Sequence, residues 1–212
     1  MFDLASAIRH LSIITPPILL ALTIHECAHA WVADRLGDPT ARMLGRLTLN
    51  PLSHLDPVGT IGLFLFRFGW ARPVPVMPSN FRDPRRDMVW VALAGPMTNL
   101  FLAAISALVL RMAPVPAFPA EGAWWGAGVG TPIFFMLRAS VRYNVILAIF
   151  NVIPIPPLDG SRMLSGFLGP TQTLAYRRIE PYGVILLVVL IFTGTVGRVI
   201  WPMISMVEAL LL

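Results

Sequence analysis

The chain has 212 residues, 56% hydrophobic and 13% charged, and its net charge of +5 comes from arginine, since no lysine is present. Soluble proteins carry about 25% charged residues, so the composition excludes an ordinary soluble fold and leaves no room for a second sizeable soluble domain. The basicity suits cytoplasmic loops and anionic lipid rather than nucleic acid. The single cysteine, Cys27, excludes an intramolecular disulfide framework.

In chain order, residues 8–31 predict a first span, because crossing the hydrocarbon takes about 20 mostly apolar residues. Pro16-Pro17 should kink this helix or mark where its regular part begins. Residues 34–87 are mixed in character and hold eight arginines. Within them Val58 to Phe66 is apolar but too short to span, which predicts a re-entrant or interfacial loop. Arg46 to Leu49 and Val74 to Val76 alternate as strands do, with Pro75 restricting the second to a sheet edge. Residues 88–110, interrupted by Gly95-Pro96, predict the next span, and residues 113–130 form a Pro- and Gly-rich connection without arginine. Residues 131–153 predict a third span carrying Arg138, Arg142, Asn144 and Asn151. A loop opening with Pro154, Pro156, Pro157 and Asp159-Gly160 follows, and residues 181–193 and 196–212 supply one or two further spans. The expected fold is an α-helical polytopic membrane protein, a single membrane-embedded domain over 1–212. It has a three-helix core, additional spans and a short strand-containing or re-entrant loop after the first span. No cleavable signal is expected, because the first apolar segment runs directly into the chemistry-bearing residues.

Those residues are Ile24-His25-Glu26-Cys27-Ala28-His29-Ala30-Trp31. Positions i and i+4 share a helix face, so His25 and His29 can grip one metal ion. Glu26 follows the first histidine, where it can take a proton from a metal-bound water. This is the H-E-x-x-H arrangement of zinc hydrolases. Cys27, two residues from His25, turns away from the metal and reads as packing. A catalytic zinc needs a third protein ligand. Asp159 is the preferred candidate: the prolines before it end regular helix and Gly160 permits a turn that aims the carboxylate inward. His54 and Asp56 are rival ligands that otherwise shape the loop or hold substrate. Asn99 and Asn144 read as interhelical hydrogen-bonding amides or as site residues. Asn151, nearest Asp159, reads as a hydrogen-bond donor to substrate backbone or oxyanion, and Asn99 and His54 join it as candidate substrate supports.

Charge asymmetry gives an independent check. The loop after the first span is rich in arginine, the next has none, and the one after the third span carries Arg162, Arg177 and Arg178. Arginine-rich loops are cytoplasmic, so the first and third spans both end on the cytoplasmic side. That places His25, His29 and Asp159 on one face of the membrane although they are distant in sequence.

Together these residues resemble the site-2 protease family of intramembrane zinc metalloproteases. The resemblance is carried by His25-Glu26-Cys27-Ala28-His29 and by Asn151 to Gly160 with Leu158-Asp159-Gly160. Gly45 to Pro57, Phe68 to Val76 and Ala94 to Asn99 look like its compact prokaryotic branch. The resemblance implies one Zn2+ per chain held by His25, His29 and Asp159, with Glu26 as general base. It also implies cleavage of a substrate's transmembrane segment, usually releasing a membrane-tethered regulator, in a prokaryotic cytoplasmic membrane with the site opening toward the cytoplasm. Expected partners are a transmembrane protein substrate and lipid, with no nucleic acid and with homo-oligomerisation left open. The edge near Val74 is a candidate for pairing with an unwound substrate. The competing class is a membrane metal transporter, which has no need of Glu26 beside the first histidine.

Overall fold

A computed structural model describes residues 4–59, 62, 71–112 and 130–212. The first helix, α1, runs Leu4–Arg35 and passes through Pro16 and Pro17 as one helix rather than starting at them. A short turn of helix, α2, covers Thr40–Met43. The next long helices are α3, Pro84–Met112, and α4, Gly130–Val152. After a proline-rich turn come α5, Asp159–Phe167, and α6, Pro170–Arg177. The chain ends with α7, Gly183–Phe192, and α8, Thr195–Leu211.

Helices α1, α3 and α4 are each long and apolar enough to cross a membrane. They pack on one another as a three-helix core, and residues such as Leu20, Phe101, Leu108 and Ile133 on their outer sides are exposed, as lipid-facing positions require. The C-terminal pair differs from two full spans. Helix α7 has ten residues, about 15 Å at 1.5 Å per residue against a hydrocarbon core of about 30 Å. The segment ending in α7 meets α8 at 75°, so the two together make at most one broken span or a re-entrant element. The corner is Gly194, whose φ of 71° lies in the left-handed region where a side chain is disfavoured.

Helix α8 closes the bundle by packing Val196, Ile200 and Ile204 against Ala103 and Ala107 of α3 and Val141 and Val145 of α4. The alanines of α3 let the backbones approach closely, which is how helices associate where lipid competes equally for apolar surface. Arg142 stacks over the Trp201 ring at 5.0 Å, so this membrane arginine is engaged with α8.

The loop after α1 contains no strand among the described residues. One isolated antiparallel bridge, Leu55 with Ala71, is present among those residues, and neither Arg46–Leu49 nor Val74–Val76 forms a ladder. Most of the apolar stretch 58–66 lies outside the described residues. Side chains tie the loop down in place of a sheet. The fully buried Asp38 accepts from Thr40 N at 3.2 Å, Thr40 Oγ1 at 2.5 Å, Met77 N at 2.7 Å and Asn80 Nδ2 at 2.7 Å. Burial pushes the Asp38 carboxyl up, but these donors outweigh it and hold the carboxyl below its ordinary value.

Candidate metal centre

Helix α1 places His25 and His29 on one face, with their Nε2 atoms 3.0 Å apart. Asp159, the first residue of α5, brings Oδ2 to 3.2 Å from each of them. All three residues are buried, at 5%, 5% and 8% exposure. Two glycines make this convergence sterically possible. A Cβ on Gly95 of α3 would stand 2.5 Å from both His25 Cε1 and His29 Nε2, so α3 passes with bare backbone against the imidazoles. A Cβ on Gly160 would collide with the backbone of Val152 and Ile153. Glycine there lets the first turn of α5 rest on the end of α4, which carries Asp159 inward.

Hydrogen bonding fixes which way the imidazoles present their lone pairs. His29 Nδ1 lies 2.7 Å from the carbonyl of Val91; a carbonyl only accepts, so Nδ1 carries the proton. His25 Nδ1 lies 2.6 Å from Asn99 Oδ1. The Asn99 Nδ2 is turned to Ala21 O at 3.3 Å and Asn144 Oδ1 at 2.8 Å, so an acceptor again faces the ring. In their neutral forms both imidazoles therefore direct an Nε2 lone pair at the same point. The buried Asp159 Oδ2 has no hydrogen-bond donor of its own. Three electron-rich atoms at 3.0–3.2 Å with no proton between them repel unless a cation lies among them.

This donor set fits zinc. Tetrahedral N and O ligands about 2.0–2.1 Å from the ion stand about 3.3 Å from one another, close to the spacing here. Three ligands leave a fourth position open, the mark of a catalytic site. The same trio is the one metal-competent cluster of His, Cys, Asp and Glu found among the described residues.

The remaining sequence candidates are distributed around this centre. Glu26 is partly buried and its Oε2 accepts from the backbone N–H of Val74 at 3.0 Å. The Arg46 guanidinium, buried in the loop, donates to the carbonyl of Arg72 at 2.6 Å, so the 72–74 stretch is held at both ends. Burial and the nearby Arg72 cation push Arg46 below its ordinary value, while the Glu26 carboxylate opposes them. Val74 thus spends its N–H on Glu26, and Pro73 and Pro75 have none. The stretch therefore offers fewer backbone donors than an open strand edge would. His54 and Asp56 stand outside the cluster: His54 Nε2 donates to Thr48 O at 2.8 Å, and Asp56 accepts from Gly59 N at 2.8 Å. Asn151 donates to Leu147 O at 3.0 Å within its own helix. Asn99 is fully buried behind His25 rather than facing a substrate position.

A family model described as peptidase family M50 matches residues 113–194, a stretch that includes Asp159 but not His25 or His29. YwhC of Bacillus subtilis, a zinc metalloprotease by name, is 40% identical over 188 residues, covering 89% of this chain and 84% of its own. The chain belongs to peptidase family M50. Rip2 of Mycolicibacterium smegmatis, also a zinc metalloprotease by name, is 32% identical over 187 residues, 85% of this chain and 66% of its own. Rip3 of Mycobacterium tuberculosis shares 30% over 154 residues, 71% of this chain and 30% of its own. No solved structure matches. This M50 protease is accordingly a zinc metalloprotease acting on protein, built from membrane helices. Four contributors to its site had no distinct sequence signal: the Val91 carbonyl, the Val74 N–H, the close approach at Gly95 and the pairing of Asn144 with Asn99. A polar residue inside an apolar span was the one available pointer, and it marked Asn99 and Asn144 without saying what they touch.

Proposed function

We propose that this protease hydrolyses a peptide bond within or beside the transmembrane segment of a membrane-anchored protein, releasing a regulator. His25, His29 and Asp159 hold the zinc, Glu26 is the general base, and the site opens toward the cytoplasmic side of a prokaryotic cytoplasmic membrane. The observation that carries the reading is the convergence of two Nε2 lone pairs and an orphaned carboxylate oxygen among three membrane helices. The arginine-rich loops after α1 and α4 support the orientation.

Zinc at this position supplies Lewis-acid polarisation of the scissile carbonyl and a water acidified toward about pKa 7. Glu26 takes the water's proton and returns it to the leaving amine. The Val74 N–H holds one carboxylate oxygen and leaves the other for that proton. A substrate helix must unwind locally, because its carbonyls are otherwise occupied by their own hydrogen bonds. Asn151, partly exposed beside the proline turn before Asp159, is assigned to the unwound substrate backbone. Asn99 is buried and bonded to His25, so it supports the site from behind, and His54 is buried and bonded to Thr48 O, so it shapes the loop.

The test uses purified protein in lipid with a panel of single-span substrates. Glu26→Gln should keep zinc and lose about 10²–10⁴-fold in cleavage, the range for general-base removal. Asp159→Ala should lose zinc. Retained zinc in Asp159→Ala would move the third ligand elsewhere, and zinc flux across vesicles that survives Glu26→Gln would favour a transporter.

A further inference from the structure

A line of buried side chains leads from the metal centre into the bundle and meets a backbone carbonyl, which gives the line a direction. The Ser140 carbonyl can only accept, so Asn144 turns its Nδ2 toward it at 2.9 Å. Asn144 Oδ1 is then left facing α3, where it accepts from Asn99 Nδ2 at 2.8 Å. Asn99 Oδ1 in turn faces His25 Nδ1 at 2.6 Å. Reversing the Asn144 amide would set two oxygens against each other at Ser140 and two N–H groups against each other at Asn99. With both amides essentially closed to water, at 0% and 1% exposure, no solvent molecule relieves such a mismatch.

We propose that Asn144, acting through Asn99, is a positioning residue for the metal ligand His25. Its amide sets the amide of Asn99, which keeps the proton on His25 Nδ1 and the lone pair of Nε2 on the metal side. The inference rests on the assignment of His25 as a zinc ligand made above. Hydrogen bonding to the second ring nitrogen is the general means of fixing a ligand's tautomer and basicity. Here three elements share the task, since His25 is on α1, Asn99 on α3 and Asn144 on α4. Helix pairing alone would need a bond between α3 and α4 but no particular polarity. Asn144 Nδ2 also reaches Ser140 Oγ at 3.2 Å, a hydroxyl that keeps its acceptor lone pairs whether or not Ser106, 2.8 Å away, is present, so Ser106→Ala serves as a control.

The test measures zinc dissociation constants by chelator competition, with full-length protein in lipid nanodiscs. Asn99→Ala should weaken zinc binding about 10–100-fold, the range for outer partners of metal ligands. Asn144→Leu should weaken it about tenfold, and the double variant should bind no more weakly than Asn99→Ala alone, the non-additivity of a serial connection. Cobalt(II) substituted for zinc should show a shifted d–d absorption band in Asn144→Leu and an unshifted one in Ser106→Ala. Wild-type zinc affinity and an unchanged cobalt band in Asn144→Leu, or additive losses in the double variant, would overturn the proposal. A wild type that binds no zinc would instead sink the ligand assignment on which it rests. If Asn144→Leu does not fold, the ¹⁵N spectrum of zinc-loaded wild type decides: Nδ1 of His25 should be protonated and Nε2 coordinated, and the reverse pattern rules the proposal out.

Discussion

Helices α3 and α4 each carry two stripes that do different work. On α4, Ser140 and Asn144 form a polar stripe, while Val141 and Val145 form an apolar one turned about 100° around the axis. On α3, Asn99 bonds into the polar side, while Ala103 and Ala107, about 40° and 80° further round the axis, pack toward α8. The polar stripe of α4 faces α3 and reaches His25 of α1 through Asn99, by bonds of defined donor and acceptor. The apolar stripe faces α8 and is filled by Val196, Ile200 and Ile204. One side fixes direction and the other fills volume. Altering the first should change how metal is held, and altering the second should change how firmly the bundle holds together.

The largest effect is expected at Gly95. A methyl group there would lie 2.5 Å from His25 Cε1 and His29 Nε2, closer than real Cβ contacts occur. The rings are held by bonds on their far sides to Asn99 and Val91, so they cannot retreat without losing orientation. Gly95→Ala should reduce zinc affinity by at least about 100-fold, the upper range for disturbance around a ligand, and abolish cleavage. Gly197→Ala, with nothing within 4 Å of its added methyl, should leave zinc affinity unchanged. Normal zinc binding in Gly95→Ala would mean that α3 yields, and the close approach would not be what shapes the site.

A second substitution separates catalysis from metal holding on the polar side. Val74→Pro removes the N–H that Glu26 accepts while keeping a compact apolar residue. Hydrogen bonds to charged groups contribute about 1.5–3 kcal/mol, which corresponds to about 10–100-fold in rate if the bond orients the base. The expected result is a fall in kcat by that factor with zinc stoichiometry intact. Val74→Ala, which retains the N–H, should lose far less. A fall in zinc content with Val74→Pro would show that the 72–74 stretch supports the ligands and not only Glu26.

Legibility in the sequence followed the kind of information each element carries. The shared face of His25 and His29 was legible because helical periodicity alone puts i and i+4 together, and the structure forms that helix. The approach of Asp159 to the two histidines was legible because the prolines end regular helix, Gly160 permits a turn, and the arginine pattern puts the residue on the same side. The loop after α1 misled. Its alternation suggested strands, but Pro73 and Pro75 remove ladder donors, and Glu26, Arg46 and Asp38 engage Val74 N–H, the Arg72 carbonyl and Met77 N–H. Such ties are contacts across tens of residues and leave no periodic trace. Residues 181–193 and 196–212 read as one or two further spans, because ten apolar residues look alike in a short bent element and in the start of a crossing. Asn99 was legible as a costly polar residue within a span. Its role depended on the rotation of α3 about its axis, which a single sequence does not specify.

The mildest prediction tests the apolar side. Ile204 is fully buried between α3 and α4, and its neighbours Val141 and Val145 are closed to solvent as well. In lipid there is little hydrophobic gain from bringing helices together, so α8 is held by shape and dispersion contacts. Ile204→Ala leaves a void that α8 can only partly close, a loss of about 2–3 kcal/mol, the lower part of the range for isoleucine-to-alanine core changes. Thermal unfolding in detergent should report that loss, with zinc affinity and the cobalt spectrum unchanged. If Ile204→Ala loosens zinc as much as Asn99→Ala does, the two stripes are one cooperative unit. Metal binding would then depend on the docking of α8 and not only on the amides behind His25.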